Sequence, residues 1–219
     1  MNRRLMSALL AVVLAGCVTA PDLPPDYALD PNVPEGLAIV SLTLSGKTLD
    51  RVDSFEYRLR PVAPQDGEPV RARPYFNSAK QHARWLIDTN GRRDAEWNVI
   101  VKAPNFGESL DVAEHGTVTG RLASVRLPAG EYEFYAWKLR EPNPYGGTEY
   151  SPTQAFSYRF AVKPGQASYI GQLHLHLSAR DTQKVTVEDR HERDIAILRK
   201  KHPSPHASQV TVDIGRVQP

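Results

Sequence analysis

The sequence predicts a mostly β protein, an antiparallel β-sandwich of about seven or eight strands with one C-terminal helix. Apolar and polar residues alternate over many short segments, which is the period of half-buried strands. Pro- and Gly-containing turns separate these segments and join neighbouring strands. A single segment near the C-terminus carries helix start and stop residues.

Residues 1–16 have the pattern of a secretory signal peptide. Arg3 and Arg4 precede an uncharged run from Leu5 to Leu14, ten residues long. A membrane-spanning helix needs about twenty apolar residues, whereas the apolar region of a signal peptide is this short. The run ends in Leu14-Ala15-Gly16-Cys17.

This tetrapeptide resembles the bacterial lipobox, in which small residues precede an obligatory cysteine. The resemblance implies cleavage between Gly16 and Cys17 and lipidation of the Cys17 thiol; an ordinary signal peptide with a chance cysteine is the alternative. Several acyl chains anchor where one does not, because each buried CH₂ contributes about 0.8 kcal/mol. Cys17 is the only cysteine, so the domain is expected to be stable without disulfides.

The residue after the lipobox cysteine bears on location. Val18 is not the Asp that retains lipoproteins in the inner membrane of enteric bacteria. The resemblance therefore implies a lipid-anchored protein of the outer membrane that faces the periplasm. An inner-membrane or cell-surface location is left open.

The mature chain is expected to be one domain behind a tether. Residues 17–36 contain the lipidated Cys17 and five prolines, which favour an extended spacer. Residues 37–219 form a single domain. The precursor has 27 basic and 25 acidic residues, and loss of Arg3 and Arg4 leaves 25 of each. A formally neutral chain has no overall electrostatic attraction to nucleic acid or to anionic lipid, and in this compartment we expect no binding of nucleic acid.

The domain is predicted strand by strand. The expected strands are 37–44, 55–59, 97–101, 118–127, 131–139, 156–162, 167–177, one at Val185 and Val187, and a possible last one at 210–214. A helix is expected near 189–202, because acids come early, bases come late and Pro203 ends it. Asp189 is its expected N-cap, with Glu192 completing a capping box, and Ile195 and Leu198 should face the sandwich. Segment 61–96 has no clear pattern and is either functional or contains unrecognised elements.

No enzyme motif is present in the sequence: it lacks a nucleophile elbow, a phosphate-binding glycine loop and a His-Glu-x-x-His pair. We therefore expect a non-catalytic protein with no cofactor. His174 and His176 lie two apart on a predicted strand and point to one face. They are weak candidates for a metal site, and solvated strand histidines are the favoured interpretation because the leucines between them occupy the other face.

Four aromatic residues form the candidate binding surface: Tyr135, Trp137, Tyr145 and Tyr150. Strict alternation places Tyr132 and Phe134 in the core and Tyr135 and Trp137 on the opposite face. Exposed aromatics can stack on a sugar or anchor a protein partner. A second layer that buries Tyr135 and Trp137 is the favoured alternative. The long 140–153 loop follows this strand, and loops of this length often carry function.

Two hairpins carry a resemblance to known folds. The segments LPAGEYEFYAW (127–137) and FAVKPGQASYIGQLHL (160–175) resemble hairpins of transthyretin-like and carboxypeptidase-regulatory-like sandwiches, which recur in uncharacterised bacterial lipoproteins. The resemblance covers about fifty residues and implies a structural or binding module.

Three functions remain open at this stage. The first is a membrane-anchored binding or envelope-assembly module that contacts another envelope protein. The second is a glycan- or peptidoglycan-binding module that uses the same aromatics. The third is a hydrolase or metal-binding protein whose site is built from scattered residues.

Overall fold

Two β-sheets pack face to face, and one helix covers part of the outer face of one sheet. The computed structural model describes residues 18–19, 23, 27–46, 52–62, 99–102, 110–114, 118–152, 156–177, 183–203 and 209–218. The predicted mostly β sandwich with a C-terminal helix is confirmed. The signal peptide, Cys17 and most of segment 61–96 lie outside the described residues.

The described residues form thirteen strands and one helix. They are β1 (Val18–Thr19), β2 (Glu35–Ser45), β3 (Ser54–Pro61), β4 (Val99–Lys102), β5 (Val112–Glu114), β6 (Val118–Pro128), β7 (Gly130–Glu141), β8 (Thr148–Tyr150), β9 (Tyr158–Val162), β10 (Ala167–Leu177), β11 (Gln183–Glu188), α1 (His191–Lys201), β12 (Thr211–Val212) and β13 (Arg216–Val217). Eight strands have four or more residues and match the first eight expected strands, whereas the possible last strand at 210–214 is only the two-residue β12. The remaining strands are too short to show an alternation of apolar and polar residues.

The strands divide into a seven-stranded and a six-stranded sheet. The seven-stranded sheet has the order β1-β4-β3-β7-β9-β13, with β8 beside β7. The six-stranded sheet has the order β11-β10-β2-β6-β5, with β12 beside β10. Most neighbours are antiparallel, as predicted, but β2 and β10 at the centre of the six-stranded sheet are parallel. Alternation alone does not reveal the relative direction of two strands so distant in sequence.

The main core lies between the two sheets. It combines aromatics of β3, β7 and β9 with aliphatic residues of β2, β6 and β10. Its largest fully buried side chains include Tyr57, Tyr132, Tyr158, Phe55 and Phe134. Tyr57 meets Phe134 edge-to-face at 5.9 Å between centroids, and Tyr132 stacks on Phe160 at 6.0 Å; aromatic rings prefer such edge-to-face and offset arrangements.

A second apolar cluster lies on the outer face of the six-stranded sheet. It contains Leu37 and Ile39 of β2, Tyr169 of β10 and Leu198 of α1. Because β2 is covered on both faces, ten of its eleven residues are buried, the pattern of a fully interior strand.

The segment predicted as a tether contributes to this cluster. Leu29 is buried in it, and Leu23 and Tyr27 pack against it. The Tyr27 hydroxyl also donates to Glu35 at 3.2 Å. Val18 and Thr19, at the other end of the segment, form β1 beside β4. These parts of 17–36 are therefore fixed to the sandwich, because apolar residues between the prolines can bury area against it.

Two bulges change the side-chain alternation. Arg58 and Leu59 of β3 pair with Ala136 and Phe134 of β7, so Tyr135 is an extra residue in β7. The second bulge is in β10, where Tyr169 and Gly171 pair with consecutive residues of β2 and the residue between them is extra. Gly171 has a φ of +115°, a conformation that glycine adopts most readily. A bulge shifts by one residue the positions that face the core.

Helix α1 lies where the sequence predicts it. Asp189 accepts a hydrogen bond from the His191 backbone N–H at 3.0 Å, so its carboxylate satisfies a first-turn donor as expected. The residue at the N-cap position is Arg190, and the N-cap shows no side-chain capping bond, so the expected capping box does not form. Leu198 is buried and Ile195 is half-buried. Among the described residues no helix is long and apolar enough to cross a membrane.

Candidate functional site

The four aromatics of the candidate binding surface have different environments. Trp137 is 2% exposed and belongs to the core between the sheets, so its placement on an outer face is wrong. Tyr135 is half-buried under the Arg60 guanidinium, whose central carbon lies 4.5 Å from the ring centroid. Tyr150 packs against the main core. Tyr145 alone among the four is fully displayed, at 97% exposure.

The bulge at Tyr135 explains the outcome for Trp137. Tyr132 and Phe134 point into the core, as strict alternation predicts. The extra residue then reverses the phase, and Trp137 and Leu139 point into the core as well. A sequence read at a fixed period of two cannot anticipate this reversal.

Tyr145 lies at the tip of the connection between β7 and β8, residues 142–147, which we term the Tyr145 loop. Asn143 organises it: its side-chain oxygen accepts from the backbone N–H groups of Tyr145 at 2.8 Å and Gly147 at 3.0 Å. Its amide nitrogen donates to Thr148 Oγ1 at 3.0 Å. One side chain thus bonds to both arms of the loop, which holds the tip in one shape.

The base of the Tyr145 loop is fixed by Arg140. Its Nη2 donates to the Gly146 carbonyl at 2.7 Å, and its Nε lies 3.5 Å from Asp53 Oδ2. Gly147 adopts a φ of +106°, and a Cβ there would lie 2.9 Å from the Glu141 carbonyl oxygen, so this position requires glycine. The loop is ordered by its own hydrogen bonds and presents an uncovered aromatic ring.

The two histidines of β10 lie on the outer face of the six-stranded sheet, and the expectation that both are solvated is wrong for His174. His174 is 3% exposed, with Nδ1 2.8 Å from Thr43 Oγ1 and Nε2 2.9 Å from Ser45 Oγ. His176 Nε2 lies 3.1 Å from Thr186 Oγ1. Burial, and then the neighbouring His176, lower the pKa of His174, which favours the neutral ring.

Both ring nitrogens of His174 are therefore engaged by hydroxyl groups rather than directed to a common point. Among the described residues no group of three or more His, Cys, Asp or Glu side chains is placed to hold a metal ion. His191, another possible ligand, instead bonds Asp189 through Nδ1 at 2.8 Å. His115 and His206 lie outside the described residues.

A buried polar cluster joins α1 to the six-stranded sheet. We term it the Asp194 cluster; its members are Ser41, Glu114, Tyr169, Gln172, Arg193 and Asp194. Asp194 is fully buried, and its Oδ2 accepts hydrogen bonds from Ser41 and from Tyr169, the latter at 2.7 Å. Its Oδ1 accepts from Arg193 Nε at 2.7 Å.

Arg193 extends the Asp194 cluster across the sheet. Its Nη1 reaches Glu114 at 2.7 Å and its Nη2 reaches Gln172 at 2.6 Å. Burial would lower the pKa of Arg193, but the hydrogen bonds and charges of Glu114 and Asp194 raise it. Burial and the Asp194 carboxylate raise the pKa of Tyr169, so its hydroxyl remains a donor. Each of the three charged groups therefore has a hydrogen-bond partner within the cluster.

The Asp194 cluster was not predicted, because in the sequence Asp194 is one of the acidic residues expected near the start of a helix and nothing marks its side chain as buried. One feature of β2 could have indicated it. Leu37 and Ile39 share the outer face with Ser41 and Thr43, and a strand face that changes from apolar to small polar residues requires a polar partner above it. The sequence does not reveal which helical residue supplies that partner.

Comparisons with known proteins add little to these observations. No protein-family model matches the chain, and no curated protein matches it. A crystal structure of a leucine-rich repeat protein from Bacteroides thetaiotaomicron VPI-5482 is similar over 67% of this chain, with 14% identity and a TM-score of 0.34. The matched part spans 14% of that protein's length.

Proposed function

We propose that this protein is a lipid-anchored envelope lipoprotein whose β-sandwich acts as a non-catalytic binding or assembly module through the Tyr145 loop. The observation that carries the proposal is Tyr145, 97% exposed on a loop ordered by Asn143. Ordering the loop beforehand lowers the entropic cost of binding, and tyrosine is among the residues that most often anchor interfaces.

The environment of Tyr145 favours a protein partner over a glycan. A sugar site needs free polar groups beside the aromatic ring. The polar side chains nearest in sequence are engaged within the protein: Asn143 bonds the loop, Arg140 bonds Gly146 and Glu141 accepts from the Tyr150 hydroxyl at 2.9 Å. An aromatic ring whose neighbouring polar side chains each bond within the protein fits an apolar pocket on another envelope protein.

Asp194 and His174, the buried side chains capable of acid–base chemistry, have structural roles in this proposal. Asp194 is fully buried, and His174 is held by Thr43 and Ser45. Neither group has its reactive atoms directed to open space, which an acid–base or nucleophilic site requires.

The membrane anchor is proposed from Leu14-Ala15-Gly16-Cys17. Replacing Cys17 by alanine is expected to abolish incorporation of an alkyne-tagged palmitate, because the thiol is the acyl acceptor. The wild-type chain and a Thr19→Ala control should both take the label, detected by in-gel fluorescence. Equal labelling of the Cys17→Ala variant, or an unlabelled wild-type chain, would reject the anchor.

A photo-crosslinking amino acid at position 145 is expected to give one discrete protein adduct in cells. The same amino acid at Val212, another exposed apolar position, is the matched control and should not give that adduct. Tyr145→Ala should weaken capture of the identified partner by about tenfold or more and leave thermal stability unchanged within about 0.5 kcal/mol. A glycan adduct would favour the glycan-binding alternative, and the absence of any adduct from the folded protein would overturn the proposed surface.

A further inference from the structure

A row of charged residues crosses the outer face of the seven-stranded sheet. Arg60 of β3 pairs with Glu133 of β7, Glu133 pairs with Arg159 of β9, and Arg159 pairs with Arg216 of β13. We term these four residues the arginine row. The formal net charge of the mature chain is zero, so any attraction to anions would depend on local groups of positive charge such as this one.

Glu133 lies at the centre of the arginine row and compensates part of its charge. Its side chain is 8% exposed and accepts from Arg60 at 2.6 Å and from Ser157 at 2.7 Å, while Arg159 lies 3.7 Å away. Burial would raise the pKa of Glu133, but the hydrogen bonds from Ser157 and Arg60 lower it overall. The carboxylate is therefore ionised and fixes the guanidinium groups.

The arginines exceed the carboxylate in number and face solvent. Arg60 and Arg159 have side chains 51% and 47% exposed. Arg216 is exposed, and within the described part of the chain no carboxylate forms an ion pair with it. Tyr135 supports the Arg60 guanidinium from one side, and Glu133 occupies its Nε and Nη2. Arginine has five N–H donors, so each guanidinium retains groups that can bind an anion.

The arginine row begins two strands from β1, the edge strand whose first residue, Val18, directly follows Cys17 in the sequence. Val18, the residue directly after Cys17, pairs with Val99, and Val99 pairs with Leu59, which precedes Arg60. Strands lie about 4.8 Å apart, which places Arg60 about 10 Å and Arg216 about 24 Å from β1.

We propose that the arginine row binds the phosphate groups of anionic phospholipids in the membrane that holds the lipid anchor. The inference rests on the proposed lipidation of Cys17, because the anchor brings this sheet face to the bilayer. Guanidinium groups bind phosphate through paired N–H donors. The face would then lie against the headgroups, and the acyl chains would begin beside β1.

The test uses the mature chain from position 17 with Cys17→Ser, which contains every residue that the structure describes and has no acyl anchor. We expect it to sediment with vesicles of equal parts phosphatidylglycerol and phosphatidylcholine, and not with phosphatidylcholine alone. Each arginine near an anionic surface contributes about fivefold in affinity. The triple variant Arg60→Gln, Arg159→Gln, Arg216→Gln should therefore bind at least about tenfold more weakly.

The matched control removes the same charge elsewhere. Arg190→Gln, Arg199→Gln and Lys200→Gln neutralise three exposed cations at helix α1, which packs on the outer face of the six-stranded sheet, and this variant should bind vesicles more tightly than the row variant. Equal losses in the two triple variants would overturn the proposal in favour of unspecific net charge. Failure to bind anionic vesicles would also overturn it, and calorimetry with inorganic phosphate would then show whether the row is a site for free phosphate.

Palmitate labelling separates this inference from the proposed function. If the wild-type chain takes the label but its Cys17→Ser form does not bind anionic vesicles, the proposed anchor stands and the proposed role of the arginine row is rejected. An unlabelled wild-type chain rejects the anchor whatever the vesicle assay gives.

Discussion

Replacing Asp194 by alanine is expected to lower the free energy of unfolding by about 3–5 kcal/mol, because it leaves buried partners of a charged group without an acceptor. Asp194 is fully buried, and Tyr169, Ser41 and Arg193 all donate to it. Urea unfolding followed by circular dichroism measures the change as a shift in the transition midpoint.

The loss should be largest for removal of the whole carboxylate. Asp194→Asn keeps the side-chain volume and one oxygen acceptor, so we expect a smaller loss than for alanine. Glu192→Ala is the matched control, since Glu192 is exposed in the same turn of α1, and its effect should stay within about 0.5 kcal/mol. A loss below about 1 kcal/mol for Asp194→Ala would contradict the role assigned to the cluster.

A double-mutant cycle tests whether Asp194 and Ser41 act together. Ser41 Oγ donates to Asp194 Oδ2, and residues in one hydrogen-bond network couple by about 0.5–3 kcal/mol. The double variant should therefore lose less stability than the two single variants together. Additive losses would mean that the two residues are independent, and α1 would then depend on Leu198 and its apolar contacts.

The strands were predictable because the pattern of apolar and polar residues along a long strand shows which of its side chains are buried. Phe55, Tyr57 and Leu59 alternate with charged residues and are all buried, and Leu173, Leu175 and Leu177, which alternate with histidines, are buried too. The helix was predictable from its acidic start and basic end, since local charge placement marks helix termini. Pairing partners were not predictable, and the parallel β2–β10 pair depends on contacts distant in sequence.

The candidate site was predictable only where it depends on local features. The loop that carries Tyr145 could be identified from its turn residues, but the predicted 140–153 loop is wrong in extent, because β7 continues to Glu141 and β8 occupies Thr148–Tyr150. The Asp194 cluster and the arginine row required the tertiary structure, because their members come from separate elements. Arg60 and Arg159 are recognisable in sequence as outward strand positions, but only the register aligns them with Glu133 and Arg216.

Trp137→Ala is expected to destabilise the protein by about 3–5 kcal/mol, the range for truncating a large buried aromatic. The side chain is 2% exposed in the core between the sheets, where its loss creates a cavity that the packed strands cannot close. Tyr135→Ala changes the neighbouring aromatic on the outer face. It should cost about 1 kcal/mol, because the side chain is only half-buried and a cation–π contact such as that with Arg60 contributes about this much outside the core.

The contrast between these two variants tests the bulge that separates their side chains. If β7 followed strict alternation beyond Phe134, Tyr135 and Trp137 would share a face and the two substitutions would have similar costs. The extra residue at Tyr135 instead places them in different environments. This geometry requires that Trp137→Ala lower the free energy of unfolding several times more than Tyr135→Ala. Equal losses would mean that Trp137 is on the surface, and it would again be a candidate binding residue beside Tyr145.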